Sequence, residues 1–330
     1  MRQLLETEAI RITSCLSETD ERTLAEDVLD GLTRPFKELP PKHFYDARGS
    51  ELFDRICELP EYYPTRTERL ILERHAEEIV ARTGAGELVE LGSGSAEKAR
   101  ILLEAMASAD TLRRYVPLDV SEQALQQAAE ELVADYDGLQ VEGIIGDFER
   151  HLDSIPGRDG QPRLVALLGG TIGNFPPGTR RRLLRTIAGL LGPDDRLILG
   201  TDLVKDPDVI EAAYDDEEGV TAEFNRNVLT VINRELDADF SPDAFDHIAF
   251  YDRDHEWVEM RLRARRAHTV LISGLGLRIA FAAGEELRTE ISAKFSRGRL
   301  EADFEAAGLI LEHWYTDPQE LFAVSLAARR

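Results

Sequence analysis

Cysteine is scarce in this sequence, and its scarcity excludes several classes of protein. Among the 330 residues only Cys15 and Cys57 are cysteines. Two cysteines are too few for a disulfide framework, and the sequence contains neither a CxxC pair nor a Cys/His cluster with zinc-ligand spacing. We therefore expect no metal site, and we expect the protein in a reducing compartment, the cytoplasm.

Positive charge is also in short supply. The chain has 39 Lys and Arg against 63 Asp and Glu, a formal net charge of -24 at pH 7. Such a charge repels a phosphate backbone, so nucleic acid is not expected as a partner. No apolar run approaches the roughly 20 residues that a membrane span needs, and the N-terminus lacks the basic start and apolar block of an export signal. These absences predict a soluble monomer.

The pattern of apolar residues changes near Glu87 and divides the sequence into regions of different predicted structure. Residues 1–85 are predicted to be mostly helical, apart from an aromatic-rich segment at 42–66. From Glu87 short apolar strands alternate with helices, which is typical of a parallel sheet covered on both faces. Between 205 and 291 this alternation gives way to helical and then antiparallel-strand patterns. The tail then predicts one helix and a hairpin with one strand antiparallel to the sheet.

These patterns predict an α/β fold: a doubly wound, Rossmann-like sheet with an inserted second α+β lobe. The closing helix and hairpin are similar to the end of the class I methyltransferase fold. We predict that residues 67–204 and 292–330 form the cofactor-binding methyltransferase domain. Residues 1–66 and 205–291 would then form a substrate-binding lobe.

The first strand of the alternating region ends in the loop LGSGSAEK. Gly92 and Gly94 allow the backbone to approach a ligand beyond the strand end, although a tight turn without ligand is the alternative. The loop resembles the start of a dinucleotide-binding GxGxxG, but Glu97 replaces the third glycine and would repel a pyrophosphate. An acid at that position is compatible with S-adenosylmethionine, which has no phosphate and carries a positively charged sulfonium. Glu90 is well placed for the amino group of that cofactor, or alternatively for a helix cap or salt bridge.

Acidic residues also close the next two strands. Asp119 is positioned to accept hydrogen bonds from ribose hydroxyls, a feature shared with NAD enzymes. Asp147 can accept from the adenine amino group, and Phe148 can cover the adenine ring, although core packing would also explain this phenylalanine. The three strand ends together predict a site for S-adenosylmethionine.

Long strings in this sequence resemble the histidine Nα-methyltransferase family of ergothioneine biosynthesis, from about Pro41 to the C-terminus. The resemblance implies three successive methylations of the α-amine of L-histidine, giving hercynine. It also implies cofactor contacts at Lys98, otherwise a solvated lysine, and at Gly92, Asp119, Asp147 and Phe148. The strings are YDARGSELFD, LPEYYPTRTE, LVELGSGSAEK, GDFE, GGTIGN, GTDLVKD, AYDDEEGVTAEFNRNVL, AAGEELRTEISAKF and WYTDP.

The same resemblance implies the residues that bind the acceptor. Asn174, in GGTIGN, would orient the amine and act as a catalytic residue, although a turn-forming asparagine is the alternative. Tyr214 would hold the carboxylate with it. Tyr62, Glu290 and Ser292 would surround the imidazole; the last two are two apart on a predicted strand and so share a face. Tyr45 and Met260 are further candidates for the same pocket.

Three other functions stay open at this point. The acceptor could be another amino acid, because related family members act on tryptophan derivatives, but the carboxylate of Glu290 favours imidazole over indole. The protein could bind S-adenosylmethionine without catalysis, against which Asn174 and Tyr214 argue. A nicotinamide-dependent oxidoreductase is the third alternative.

Overall fold

The computed structural model describes residues 2–16, 23–158 and 160–330. Its strands are β1 Arg2–Glu6, β2 Ile10–Ser14, β3 Lys37–Glu38, β4 Glu87–Leu91, β5 Arg114–Asp119, β6 Gln140–Ile145, β7 Arg163–Leu167, β8 Arg196–Asp202, β9 Phe245–Asp252, β10 Trp257–Ala264, β11 His268–Ile272, β12 Leu277–Phe281, β13 Glu286–Ala293, β14 Leu309–Thr316 and β15 Phe322–Arg329. Its α-helices are α1 Thr23–Thr33, α2 Ala47–Glu58, α3 Tyr63–Thr83, α4 Glu97–Ser108, α5 Glu122–Asp135, α6 Phe148–His151, α7 Pro177–Leu190, α8 Pro207–Ala212, α9 Val220–Leu236 and α10 Arg297–Ala307.

The chain divides into two compact units. The first contains Met1–Ser17, Arg66–Leu203 and Phe295–Arg330, and the second contains Glu18–Thr65 and Val204–Lys294. The predicted boundaries at 66, 204 and 291 lie within three residues of these. The N-terminal segment differs, because we predicted residues 1–66 as part of the second lobe.

The first unit is built on a nine-stranded sheet of order β1-β2-β6-β5-β4-β7-β8-β15-β14. Its five inner strands from β6 to β8 run parallel, and β15 pairs antiparallel with β8 and with β14. All five residues of β4 and of β7 are buried, as expected of inner strands covered on both faces, although β4 carries Glu87 and Glu90 and β7 begins with Arg163. The predicted doubly wound sheet, closed by a helix and a hairpin, is confirmed.

The N-terminal residues correct one prediction. We predicted them to be mostly helical, but β1 and β2 form an antiparallel hairpin, and β2 pairs parallel with β6. Ile10 and Ile12 are buried while Arg11 between them is exposed, which is the period of a strand. The strands are too short for this alternation to stand out in the sequence. Residues 17–22, the start of the next predicted helix, lie outside the described residues.

The second unit contains a four-stranded sheet of order β3-β13-β10-β9 and a two-stranded sheet of β11 and β12. The antiparallel strands predicted after residue 255 are confirmed as β10 to β13, and the helical region before them as α8 and α9. Strand β9 was missed in the sequence. It pairs with β10 along its whole length.

Candidate functional site

The loop after β4 requires glycine at two positions. Gly92 has φ +75° and Gly94 has φ +49°, conformations that residues with a side chain rarely adopt. A Cβ on Gly92 would stand 3.6 Å from Cε1 of Phe148, in ordinary contact, so the backbone conformation and not a clash demands this glycine. Gly94 N–H donates to Oδ2 of Asp119 at 2.8 Å, and α4 begins three residues later. The loop is therefore shaped by its own backbone and tied to the neighbouring strand end.

Asp119 makes that tie with both carboxylate oxygens. Oδ2 accepts from Gly94 N–H, and Oδ1 accepts from Ser121 N–H at 2.9 Å. The half-buried side chain thus holds the loop after β4 and the start of α5 together. Its predicted role toward ribose hydroxyls stays a prediction.

Glu90 is a buried acid at the end of β4. Only 4% of its surface is exposed, and the Tyr115 hydroxyl donates to its Oε2 at 2.5 Å. Burial raises the pKa of Glu90 to about 8, although the bond from Tyr115 and the charge of Lys98 oppose this rise. A carboxyl group held in this way favours a cationic ligand, because a nearby positive charge stabilises its ionised form. Its predicted role toward the amino group of a cofactor stays a prediction.

Lys98 is not a solvated lysine of a helix face. Its ammonium group donates to Oε2 of Glu68 at 2.5 Å, and Glu68 is fully buried. The same carboxylate accepts from Gly169 N–H at 2.9 and 2.8 Å, so it joins α3, α4 and the loop after β7. We did not predict Glu68, since an acid inside the helical pattern TERLIL gives no sign of burial.

Three further predicted residues follow the next two strands, β6 and β7. Asp147 caps α6 by accepting from Glu149 N–H at 2.8 Å, and the Phe148 ring meets the Phe175 ring edge-on with 6.2 Å between centroids. Asn174 is half-buried at the end of the 3-10 helix Thr171–Asn174. The positive φ angles of that turn belong to Gly169 and Gly170, not to the asparagine.

We call the first-unit residues around this loop the glycine-loop cluster. Its members are Glu68, Glu90, Gly92, Gly94, Lys98, Tyr115, Asp119, Asp147 and Phe148.

In the second unit, Tyr214, Ser292 and Lys294 form a buried triad. Tyr214 Oη donates to Ser292 Oγ at 2.8 Å, while the Lys294 ammonium donates to both oxygens at 2.9 and 3.0 Å. Lys294 is fully buried, with its nitrogen 4.6 Å from the centre of the Tyr214 ring. We missed Lys294 in the sequence. The alternation from Glu290 through Ser292 indicated the face on which Lys294 lies, but not that this lysine is buried.

Other predicted acceptor residues gather at the same place. The rings of Tyr62 and Tyr214 meet edge-on with 6.3 Å between centroids. Burial, followed by the neighbouring Tyr214, raises the pKa of Tyr62. The Tyr45 ring is 45% exposed and meets the Phe53 ring edge-on with 5.5 Å between centroids. Met260 is 2% exposed and is the register partner of Glu290 across β10 and β13. We call Tyr45, Tyr62, Tyr214, Glu290, Ser292 and Lys294 the tyrosine cluster.

His247, on the missed strand β9, anchors the backbone of Tyr214. Its Nε2–H donates to the Tyr214 carbonyl at 2.9 Å, and its Nδ1 accepts from the Asn225 amide at 2.8 Å. Both bonds are made by the neutral imidazole, and burial lowers the pKa of His247. The tyrosine therefore has a fixed main chain as well as a fixed hydroxyl.

In the part of the chain that the structure describes, no helix is both long and apolar enough to cross a membrane. Across the same residues, no group of three or more His, Cys, Asp or Glu side chains could hold a metal ion.

Comparisons with known proteins match nearly the whole chain. A family model described as histidine-specific, SAM-dependent methyltransferase matches residues 24–329. The histidine N-alpha-methyltransferase of Mycolicibacterium smegmatis is 53% identical over 308 residues, 93% of this chain and 95% of that protein. The Mycobacterium tuberculosis protein of the same name is 50% identical over 306 residues, with the same coverage. Ergothioneine biosynthesis protein 1 of Neurospora crassa is 30% identical over 83% of this chain and 31% of its own length.

Proposed function

Because this chain belongs to the family of histidine-specific, S-adenosylmethionine-dependent methyltransferases, we propose that it adds three methyl groups to the α-amine of L-histidine, giving hercynine. It is a methyltransferase that acts on histidine. The observation that carries the proposal is the extent of the match, which covers both units at 50–53% identity. The match therefore includes the second unit, which contains the tyrosine cluster.

The glycine-loop cluster is our proposed cofactor site. Glu90 would bind the amino group of S-adenosylmethionine, and Gly92 and Gly94 would present the backbone to it. Asp119 would bind the ribose. Lys98 would place its positive charge near Glu90 and, through Glu68, hold the loop after β7. Asp147 and Phe148 would hold the adenine. When bound, S-adenosylmethionine supplies an electrophilic methyl group on a positively charged sulfur.

The tyrosine cluster is our proposed acceptor site. Tyr214 would hold the carboxylate of histidine, while Glu290, Ser292 and Tyr62 would surround the imidazole, with Tyr45 and Met260 lining the pocket. Asn174 would orient the lone pair of the amine. A neutral amine is itself the nucleophile and needs no further activation. Positioning therefore supplies most of the rate enhancement. Three successive methylations require that the contacts to the carboxylate and the ring of histidine stay the same as methyl groups are added.

Removing either proposed orienting group should slow turnover. We expect Asn174→Ala and Tyr214→Phe each to lower kcat/KM for histidine about 10- to 100-fold, the range for loss of a polar group that positions a substrate. Initial rates at saturating cofactor measure this. Tyr136→Phe removes the hydroxyl of a half-buried tyrosine outside both clusters and should leave the rate unchanged. Full activity in both site variants would show that the assignment is wrong.

An acceptor panel tests the proposed function itself. The protein is incubated with S-adenosylmethionine and each of the twenty amino acids, and the products are read by mass. We expect methylation of histidine alone. Methylation of another amino acid instead would support the alternative of a different acceptor, and cofactor binding without any product would support a non-catalytic protein.

We propose further that the protein acts as a monomer in the cytoplasm without nucleic-acid partners. Its net charge of -24 and its two free cysteines support this.

A further inference from the structure

Tyr115 is a fully buried tyrosine of the glycine-loop cluster that has no role in the proposed chemistry. Its hydroxyl donates to Oε2 of Glu90 at 2.5 Å. Tyr115 and Pro117 share one face of β5, and Pro117 is the register partner of Glu90 on β4, so the phenol and the carboxyl group stand on the same side of the sheet. The ring packs in the core of the first unit, where a phenylalanine ring would also fit. The contact with Glu90 is therefore what distinguishes this tyrosine from a phenylalanine.

The two oxygens of the Glu90 carboxyl group differ in their surroundings. Oε2 accepts from the Tyr115 hydroxyl, whereas no residue that the structure describes donates a hydrogen bond to Oε1. Oε1 is also not one of the sealed polar atoms that lack a partner in the described chain, so the 4% of Glu90 that is exposed includes this oxygen. A carboxylate can accept at both oxygens. The inner oxygen is thus bound by the protein, and the outer oxygen can accept from a ligand.

Four groups on the surrounding elements act on the Glu90 carboxyl group. Burial raises the pKa of Glu90 to about 8; the Tyr115 hydroxyl and Lys98 on α4 oppose this rise, whereas Asp119 at the end of β5 and Glu68 on α3 add to it. The positive charge of Lys98 is shared with Glu68, to which it donates a hydrogen bond. Among these four groups, Tyr115 alone is hydrogen-bonded to Glu90, and a hydrogen bond to a carboxylate favours its ionised form.

We propose that Tyr115 is a positioning residue for the cofactor: by binding Oε2 it turns Oε1 of Glu90 toward the amino group of S-adenosylmethionine. The inference rests on the proposed function, in which Glu90 binds that amino group. A cationic ligand needs the ionised carboxylate, and the Tyr115 hydroxyl stabilises this form. The hydroxyl stays a donor, because burial and then the charge of Glu90 keep the pKa of Tyr115 well above 10. Tyr115→Phe would leave the carboxyl group free to rotate and harder to ionise.

The test measures the binding of S-adenosylhomocysteine by calorimetry between pH 6 and 9.5. This probe carries the same amino group as the cofactor and is stable in alkali. At pH 6 to 7 we expect Tyr115→Phe to bind it about tenfold or more weakly than the wild type, the effect of losing a hydrogen bond to a charged group. The deficit should shrink as the pH rises above 8, because Glu90 then ionises in the variant as well. Titration of the probe itself is common to both proteins and cancels in the ratio of their affinities.

Matched controls separate this role from a general effect on the fold. Tyr315→Phe removes the hydroxyl of another buried tyrosine of the first unit, on β14, and should leave the affinity unchanged at every pH. In the Glu90→Gln background, Tyr115→Phe should add little and no pH dependence, because glutamine has no proton to release. If Tyr115→Phe fails to fold, 3-fluorotyrosine at position 115 replaces it. Its phenol is more acidic and a stronger donor, so binding at pH 6 to 7 should tighten, and unchanged binding would overturn the inference.

The outcomes distinguish the inference from the function on which it rests. If the wild type binds no S-adenosylhomocysteine, or if Glu90→Gln binds it as the wild type does, the proposed cofactor site fails and the inference falls with it. If Glu90→Gln binds weakly but Tyr115→Phe equals the wild type, or is weaker by the same factor at every pH, Tyr115 has no positioning role and the inference is overturned. A deficit that is largest at pH 6 to 7 and shrinks toward pH 9.5 supports it.

Discussion

Replacing Glu90 with glutamine is expected to weaken S-adenosylmethionine binding about 100- to 1,000-fold, the usual cost of truncating one partner of a buried charge pair. Glutamine keeps the shape and can still accept from Tyr115, but it cannot carry the negative charge that would face the cofactor's ammonium group. Because Glu90 is 4% exposed, water cannot substitute for the lost interaction.

The same Glu90→Gln substitution should stabilise the fold at high pH. Burial raises the pKa of Glu90 from 4.5 to about 8, so the fold favours its neutral form. The stabilisation from this neutral form is complete below pH 4.5 and is lost as the pH rises through 8. Glutamine is neutral at every pH. Above pH 8, and without cofactor, the variant should therefore melt at a higher temperature than the wild type.

The affinity of the wild type for S-adenosylmethionine should depend on pH through the ionisation of Glu90. Between about pH 6 and 7.5 most Glu90 is protonated and must release a proton to pair with the cofactor, so affinity should rise toward tenfold per pH unit, the slope for one proton. Calorimetry at several pH values measures this, and Glu90→Gln should abolish the slope. Glu97→Gln alters an exposed acid at the start of α4 and should preserve the slope. An equal slope in wild type and Glu90→Gln would contradict the assignment.

Replacing Glu68 with alanine is expected to lower the free energy of unfolding by about 3–5 kcal/mol, as for removal of one partner of a buried ion pair. The change leaves the Lys98 ammonium and Gly169 N–H without the carboxylate that now binds both. It also empties space beside β8, where a Cβ on Gly200 would stand 1.8 Å from Glu68 Oε1. Since Lys98 belongs to the proposed cofactor site, cofactor affinity should fall as well.

Denaturant unfolding measures this loss, and helix α3 provides its own control. Glu73 on the same helix pairs with Arg69 at 2.8 Å but is about half exposed, so Glu73→Ala should cost no more than about 0.5 kcal/mol. Gly200→Ala should be tolerated better when combined with Glu68→Ala than alone, because the methyl group then fills the vacated space. Similar small losses for Glu68→Ala and Glu73→Ala would show that Glu68 does not hold these loops.

Residues at strand ends could be predicted because their position follows from the alternation of elements. Glu90, Asp119 and Asp147 each end or follow a short apolar strand, and parallel strands bring their carboxyl ends to one edge. For the same reason, Glu290 and Ser292 could be assigned to one face of a strand. The inserted lobe was recognised by the change in its pattern near Lys205.

Residues whose role depends on burial could not be predicted. Glu68 and Lys294 are fully buried charges, yet a charged residue in a helix or strand is usually exposed, and only tertiary packing distinguishes the two cases. The N-terminal hairpin was missed because its strands are five residues long and their apolar residues are interrupted by charged ones, Arg2 and Glu6 in β1 and Arg11 in β2. Strand β9 carries aspartates and a histidine that interrupt its apolar alternation.

The central claim concerns where methyl groups are placed and how many are added. The most direct measurement incubates the protein with L-histidine and S-adenosylmethionine that carries a deuterated methyl group, followed by tandem mass spectrometry over time. The account predicts gains of one, two and finally three labelled methyl groups, all on the α-nitrogen. Label on the imidazole ring, or a product that stops at one methyl group with both reagents in excess, would contradict it.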